Sequence, residues 1–305
     1  MKKSFALLLF FCAIFTLAQE RKHTATENVK IISEKFEIPQ LKTTRRIWIY
    51  LPKDYETSHK KYEVMYLQDA QNLFDDATSY AGEWQVDETL NKIFEKTGKS
   101  LIVVGIDNGG EKRIEELSPF KNAKYGGGNG DNYVKFIVEN LKPFIDKNYR
   151  TKPQRKFTTI GGSSLGSLIS VYSAVKYPET FGKVLAFSSA FWFNAKDLNE
   201  FISSSKVNLK QQKYYFIQGK HEDEDMEEQT NRVIENLKSK NVKSENIFLK
   251  IDEDGKHNEM YWRREFEDAV LWLNWFLSQK TQNYTDFLTA FLSFRGISTK
   301  ILWDL

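Results

Sequence analysis

Cysteine is nearly missing from this chain: the single one among 305 residues is Cys12, inside an apolar run at the N-terminus. No internal disulfide can form, so stability must come from a sizeable apolar core. Histidine is scarce too, with only His23, His59, His221 and His257. Four histidines and no cysteine beyond residue 12 leave too few of the ligands zinc prefers, and no metal or cofactor is expected. An excess of one charge is lacking as well: 44 Lys and Arg face 41 Asp and Glu, and the two signs alternate along the chain. That removes the basic footprint of a nucleic-acid binder. Beyond residue 18 no apolar stretch is long enough to span a bilayer, so no stable membrane insertion is expected. The glycine cluster Gly126-Gly127-Gly128 lacks the Lys-Ser/Thr of a phosphate loop. Asp252-Glu253-Asp254-Gly255 lacks the spaced ligands and closing Glu of a calcium loop.

What is present begins with a leader. Lys2-Lys3, the apolar run from Phe5 to Leu17 and a small residue at Ala18 form the three regions of a secretory signal peptide. The expected organisation is a signal peptide over 1–18, one catalytic-type domain over 19–280 and a C-terminal extension over 281–305. Export implies a periplasmic or secreted protein. Residues 20–27 are polar and are expected to be loose.

Hydrophobic periodicity then supplies the elements. Lys30 to Ile38 and Arg45 to Leu51 alternate apolar and polar residues, the pattern of antiparallel strands with one wet face. Val64 to Leu67 and Leu101 to Ile106 are continuously apolar, as buried central strands are. Helical spacing is found over Trp84 to Lys96, Tyr133 to Tyr149, Glu224 to Lys240 and Tyr261 to Leu277. Short strands are expected at Val184 to Ser188, Tyr214 to Gln218 and Ile247 to Ile251. Residues 108–130 are expected to form a mobile rim loop, and 191–206 an excursion opening on Phe191-Trp192-Phe193. Strands alternating with helices from the third strand onward predict an α/β fold, with a mostly parallel sheet covered on both faces.

The chemistry centres on Gly162-Ser163-Ser164-Leu165-Gly166, a G-x-S-x-G pentapeptide between a β-branched run and an apolar helical run. Strand, sharp turn and helix are the setting of a nucleophile elbow. A serine hydroxyl needs a base to remove its proton. His257 lies on the loop after the last expected strand, C-terminal to the serine, where such a base belongs. An acid to orient it should follow the preceding strand, which ends at Gly219-Lys220-His221-Glu222-Asp223-Glu224-Asp225. Glu222 ranks first, Asp225 second and Asp223 third. The oxyanion needs two backbone amides: that of Leu165, after the serine, and that of Gln71 or Ala70 in the loop after strand 64–67. Arg113, Tyr125 and Trp192 are candidate substrate contacts at the rim.

These blocks together resemble a known family. Val64-Met65-Tyr66-Leu67-Gln68-Asp69-Ala70-Gln71-Asn72-Leu73-Phe74-Asp75, then Gly82-Glu83-Trp84 and Asp87, are similar to the opening block of the esterase D-like family. That family includes enterochelin, feruloyl and acetylxylan esterases, S-formylglutathione hydrolases and mycolyltransferases. The elbow, the acid loop Gly219-Lys220-His221-Glu222 and the block Gly255-Lys256-His257-Asn258-Glu259 with Trp262 resemble its remaining motifs, over about residues 28–278. The resemblance implies an α/β-hydrolase fold, a triad of Ser164, Glu222 and His257, and oxyanion amides at Gln71 and Leu165. It implies a serine esterase acting through an acyl-enzyme on a small-molecule or glycan ester, carbohydrate-linked or siderophore-derived. The chain departs from the family at Ala70, where many members have glycine, and at Gln68-Asp69, where feruloyl esterases have His-Gly. Both leave the substrate open. Two other readings use the same fold: a non-catalytic carbohydrate-binding or scaffold protein, and an acyltransferase with the same triad.

Overall fold

A computed structural model describes residues 21–222 and 225–275. The expected leader 1–18, Asp223 and the extension 281–305 lie outside the described residues. Eight strands form one sheet: β1 (Val29–Ile38), β2 (Thr43–Tyr50), β3 (Val64–Gln68), β4 (Ile102–Ile106), β5 (Thr158–Ser163), β6 (Lys183–Phe187), β7 (Lys213–Gly219) and β8 (Ile247–Asp252). Their spatial order is β1-β2-β4-β3-β5-β6-β7-β8. β1 pairs antiparallel with β2 and β2 with β4, while every later pairing is parallel. The one wet face expected of the first two strands holds for β1, which is partly exposed along its length, but not for β2: it pairs on both sides, and Ile47 and Ile49 are buried on one face, Trp48 and Tyr50 on the other. The continuous apolar runs of β3 and β4 are buried throughout, as central strands covered on both faces are.

Eight α-helices join the described strands: α1 (Val86–Thr97), α2 (Arg113–Leu117), α3 (Gly130–Phe136), α4 (Lys142–Asn148), α5 (Leu165–Lys176), α6 (Ala195–Ser204), α7 (Met226–Ser239) and α8 (Glu259–Asn274). Successive side chains of a strand point to opposite faces. Met65 and Leu67 accordingly pack on one side with Leu90 of α1 and Phe266 and Val270 of α8. Val64 and Tyr66 pack on the other with Phe136, Leu168 and Val233. The two apolar layers supply the core that a chain without disulfides needs.

Other expectations are corrected as well. The helix over 133–149 begins at Gly130 and contains a π-turn at Ile137–Leu141, next to Pro143. Proline has no N–H to continue the ladder, and the wider turn absorbs the break. Residues 108–130 are not a structureless rim loop: they contain α2 and close on themselves through mutual backbone bonds between Asn122 and Gly126 (2.7 and 3.0 Å). The excursion over 191–206 is built as a short 3₁₀ turn, Phe191–Asn194, leading into α6.

Residues 21–27 are not loose either. Arg21 donates to the Ser79 carbonyl (2.7 Å), His23 Nδ1 pairs with Asp75 (2.7 Å), and Thr26 donates its amide and hydroxyl to Asp87 (2.8 and 2.7 Å). This strap fastens the 75–87 segment, which borders the cleft described below. Beside Asp87, burial first and then the Asp87 charge push the Glu88 carboxyl above its ordinary range. A raised folded pKa gives stability that is present below the unfolded value and lost as pH rises through the folded one. Glu88→Gln has no proton to lose. Its melting temperature relative to the unmodified protein should therefore climb between about pH 5 and about pH 9. A flat difference in thermal melts across that range would contradict the assignment.

Candidate active site

The sheet order reverses at β3: the chain first steps to β4 on one side, then crosses to β5 on the other. Loops at the carboxyl ends of strands flanking such a reversal form the crevice where ligands bind in open α/β sheets. Here they are the 69–72 turn after β3 and Ser164 after β5.

Ser164 sits at φ 56° and ψ −122°, a conformation that L-residues with a side chain rarely adopt. Strain of about 1–3 kcal/mol is typical of such a residue and persists only where neighbours hold it. The Ser164 amide donates to the Phe187 carbonyl (2.9 Å), and its carbonyl accepts from Ala190 (3.2 Å), Ser167 (3.1 Å) and Leu168 (3.2 Å). A Cβ on Gly162 would lie 3.1 Å from both Gly166 and the Gln68 side chain, so the tight turn requires the small residue. The expected elbow is thus formed, with Leu165 as the first residue of α5. First-turn amides have no intrahelical acceptor. Gln71 is the second residue of the 3₁₀ turn Ala70–Asn72, after Ala70, and its side-chain Oε1 accepts from the Asn108 amide (3.2 Å).

His257 Nδ1 lies 3.2 Å from Glu222 Oε2. The Glu222 side chain is 1% exposed and that of His257 is 39% exposed. With an ionised carboxylate Nδ1–H is the donor, which leaves Nε2 as the free ring nitrogen. The two loops can meet because Gly219 has no side chain: a Cβ there would fall 2.3 Å from the Gly255 carbonyl. Glu222 Oε1 accepts from the Gly219 amide (3.0 Å) and from Ser188 Oγ (2.7 Å), and Oε2 from Gln218 Nε2 (3.3 Å). Ser188 in turn accepts from the Trp262 indole (2.8 Å) and is itself at positive φ, 44°. The Trp262 ring meets His257 edge-on at 5.3 Å.

Asp225 is not at the site. It is exposed, at the start of α7, where its carbonyl accepts from Gln229. Its value there is the favourable interaction of an acid with a helix N-terminus.

Ser164 and His257 line one cleft of about 720 Å³, together with Asp69, Gln71, Asn72, Tyr80, Trp84, Asn108, Arg113, Glu259 and Trp262. Arg113, expected as a substrate contact, is in this lining but already engaged: it grips Asp69 through two bonds (2.7 and 2.9 Å). Burial works against its charge, and Asp69 first, with Glu259 behind it, more than offsets that. Tyr125 and Trp192 are not in the lining. They pack edge to face on each other (6.0 Å), half exposed, two residues beyond Ala190 in the case of Trp192. Sequence reading missed Ser188, Asp69, Tyr80 and Glu259. A position just past a buried strand end, as Ser188 and Asp69 are, was the available signal; Tyr80 is brought in by a loop and Glu259 by the start of α8.

A parallel-sheet fold with a strained serine between β5 and α5, sharing a cleft with a histidine–carboxylate pair, defines an α/β-hydrolase. Residues 38–273 match the family described as "Putative esterase", and the chain belongs to that family. It is 27% identical to the uncharacterized protein YbbA of Bacillus subtilis over 243 residues, 75% of this chain and 92% of that protein. It is 25% identical to an endo-1,4-beta-xylanase/feruloyl esterase of Xylanibacter ruminicola, over 72% of this chain and 28% of that protein. Among solved structures it is similar to the enterobactin esterase FES of Shigella flexneri, with a TM-score of 0.65 at 20% identity, covering 82% of this chain and 60% of that one. Among the described residues no helix is long and apolar enough to cross a membrane.

Removing the Ser188 hydroxyl takes one donor from Glu222 and leaves the Trp262 indole unpaired. Ser188→Ala should cost about 1–3 kcal/mol in chemical denaturation. A double-mutant cycle with Trp262→Phe should be non-additive, because the second substitution removes the group the first one orphans. Strict additivity would show that the two residues do not act through each other.

Proposed function

We propose that the chain is an exported serine esterase that cleaves carboxylic esters through an acyl-enzyme. The carrying observation is the Ser164 backbone at φ 56°, in one cleft with His257, whose Nδ1 faces buried Glu222. Ser164 Oγ attacks the ester carbonyl while His257 Nε2 takes its proton. Glu222 holds the imidazole in the tautomer with Nδ1–H and stabilises the imidazolium. The amides of Leu165 and Gln71 donate to the oxyanion as negative charge develops on it. The proton then passes from His257 to the departing alcohol, and water repeats the sequence to release the acid.

The substrate is a carbohydrate-linked ester, acetyl or feruloyl, or a siderophore ester; similarity to a xylanase/feruloyl esterase and to an enterobactin esterase supports the feruloyl and siderophore readings. The leader over 1–18 supports action outside the cytoplasm, in the periplasm or beyond the cell. The same triad would also serve an acyltransferase, in which an added alcohol rather than water captures the acyl group.

Ser164→Ala should lower turnover of p-nitrophenyl acetate by roughly 10⁴-fold or more. It should also abolish labelling by a fluorophosphonate, which the unmodified protein takes up at Ser164. Full turnover in the variant would sink the mechanism, and an unmodified protein that neither labels nor turns over would favour a binding module on a hydrolase fold.

A further inference from the structure

The charges in the cleft do not balance. Arg113 is spent on Asp69, both of whose oxygens it grips, and Asn108 Nδ2 adds a third bond to the same carboxylate at 2.6 Å. That pair is internally neutral and offers no free cation. The remaining acid in the lining is Glu259, and the remaining basic group is His257 itself. Glu259 opens α8 two residues after His257, is 8% exposed, and accepts from Asn72 Nδ2 at 3.1 Å. Asn72 Oδ1 also accepts from the amide of Tyr80, whose ring stands 88% exposed at the mouth of the cleft. The rest of the named lining is amides, hydroxyls and aromatic rings. Such a surface suits uncharged, hydroxyl-bearing groups, which can donate to a carboxylate and lie against a ring.

We propose that Glu259 makes this cleft a charge filter. It admits esters that are neutral or cationic around the reacting carbonyl and rejects those carrying a negative charge there. The inference rests on the serine-esterase reading and narrows its substrate. A neutral glycan ester fits the cleft, whereas an iron-loaded catecholate ester, a polyanion, would set its charge against Glu259 with no unpaired cation to meet it. Like charges brought together in a partly buried site repel strongly, and the repulsion is weakened by salt. Burial is the main reason the Glu259 carboxyl lies above its ordinary range; Asp69 adds to the rise, and His257 and Arg113 oppose it. A purely structural Glu259, serving only the N-terminus of α8 and Asn72, would alter stability and all esters alike.

The test compares three aryl acetates: phenyl acetate, anionic 4-acetoxybenzoate and cationic 4-acetoxyphenyl-trimethylammonium. Their intrinsic reactivities differ, but those differences cancel when the kcat/KM ratios of two proteins are compared. In Glu259→Gln the anionic-to-neutral ratio should rise by about tenfold and the cationic-to-neutral ratio should fall. In the unmodified protein, raising the salt concentration should raise the anionic-to-neutral ratio, a measurement that does not depend on the variant folding. Ratios within about twofold of the unmodified protein, in a variant that still labels at Ser164 with a fluorophosphonate, would overturn the filter and leave the esterase standing. Ratios indifferent to salt would count against it in the same way. An unmodified protein that cannot hydrolyse phenyl acetate or take the label removes the esterase reading itself, and the filter with it.

Discussion

The backbone of Ser164 is the constraint from which the rest of the site follows. A serine at φ 56° is tolerable only where its amide and carbonyl are both fixed, here by Phe187 at the end of β6 and Ala190 just beyond it. Those anchors exist because β5 and β6 pair in parallel along Thr159–Ser163 and Lys183–Phe187, with both strands buried. The sheet therefore does more than carry the turn: it holds in place a conformation that the pentapeptide alone would not keep. The same anchor returns at β6, where Ser188 leaves the strand at positive φ and faces Glu222.

Behind the serine, the polar groups form a chain in which each member has a reason to be oriented. The Trp262 indole donates to Ser188, Ser188 donates to Glu222, and Glu222 faces His257. Burying the carboxylate without partners would be costly, and the donors from Ser188, Gly219 and Gln218 offset that. The aromatic wall of Trp84, Phe187 and Trp262, with rings 5.4 to 5.6 Å apart, gives this network a rigid apolar backing. In front of the serine the polar groups are arranged differently. Asp69 and Arg113 neutralise each other, and Glu259 in the same lining forms no direct ion pair among the described residues.

Much of this was legible in the chain. The continuous apolar runs mark the covered central strands and the alternation of β1 marks the half-wet edge, because burial on one face or two writes a different pattern; β2 alternates in part yet packs on both faces. The pentapeptide between a β-branched run and a helical run located the elbow, and strand order placed Glu222 and His257 at the same sheet edge. The misreadings share a cause. Residues 21–27 and 108–130 are polar or irregular in pattern, and such patterns do not record hydrogen bonds to distant segments. Thr26 reaches Asp87 and Asn122 reaches the Phe193 carbonyl (2.7 Å) only once the sheet has brought those segments together.

The sequence by itself determined the kind of fold, the serine turn and the order in which acid and base follow it, since each of these is set by neighbours within a few residues. Only the tertiary structure decided which acid faces His257, that Ser188 and Trp262 stand behind that acid, and that Arg113 is bound to Asp69 rather than free. It also decided that Tyr125 and Trp192 lie outside the cleft while Glu259 lies in it. Those outcomes depend on distances between residues far apart in the chain, and on which charges burial leaves paired. No local pattern encodes either.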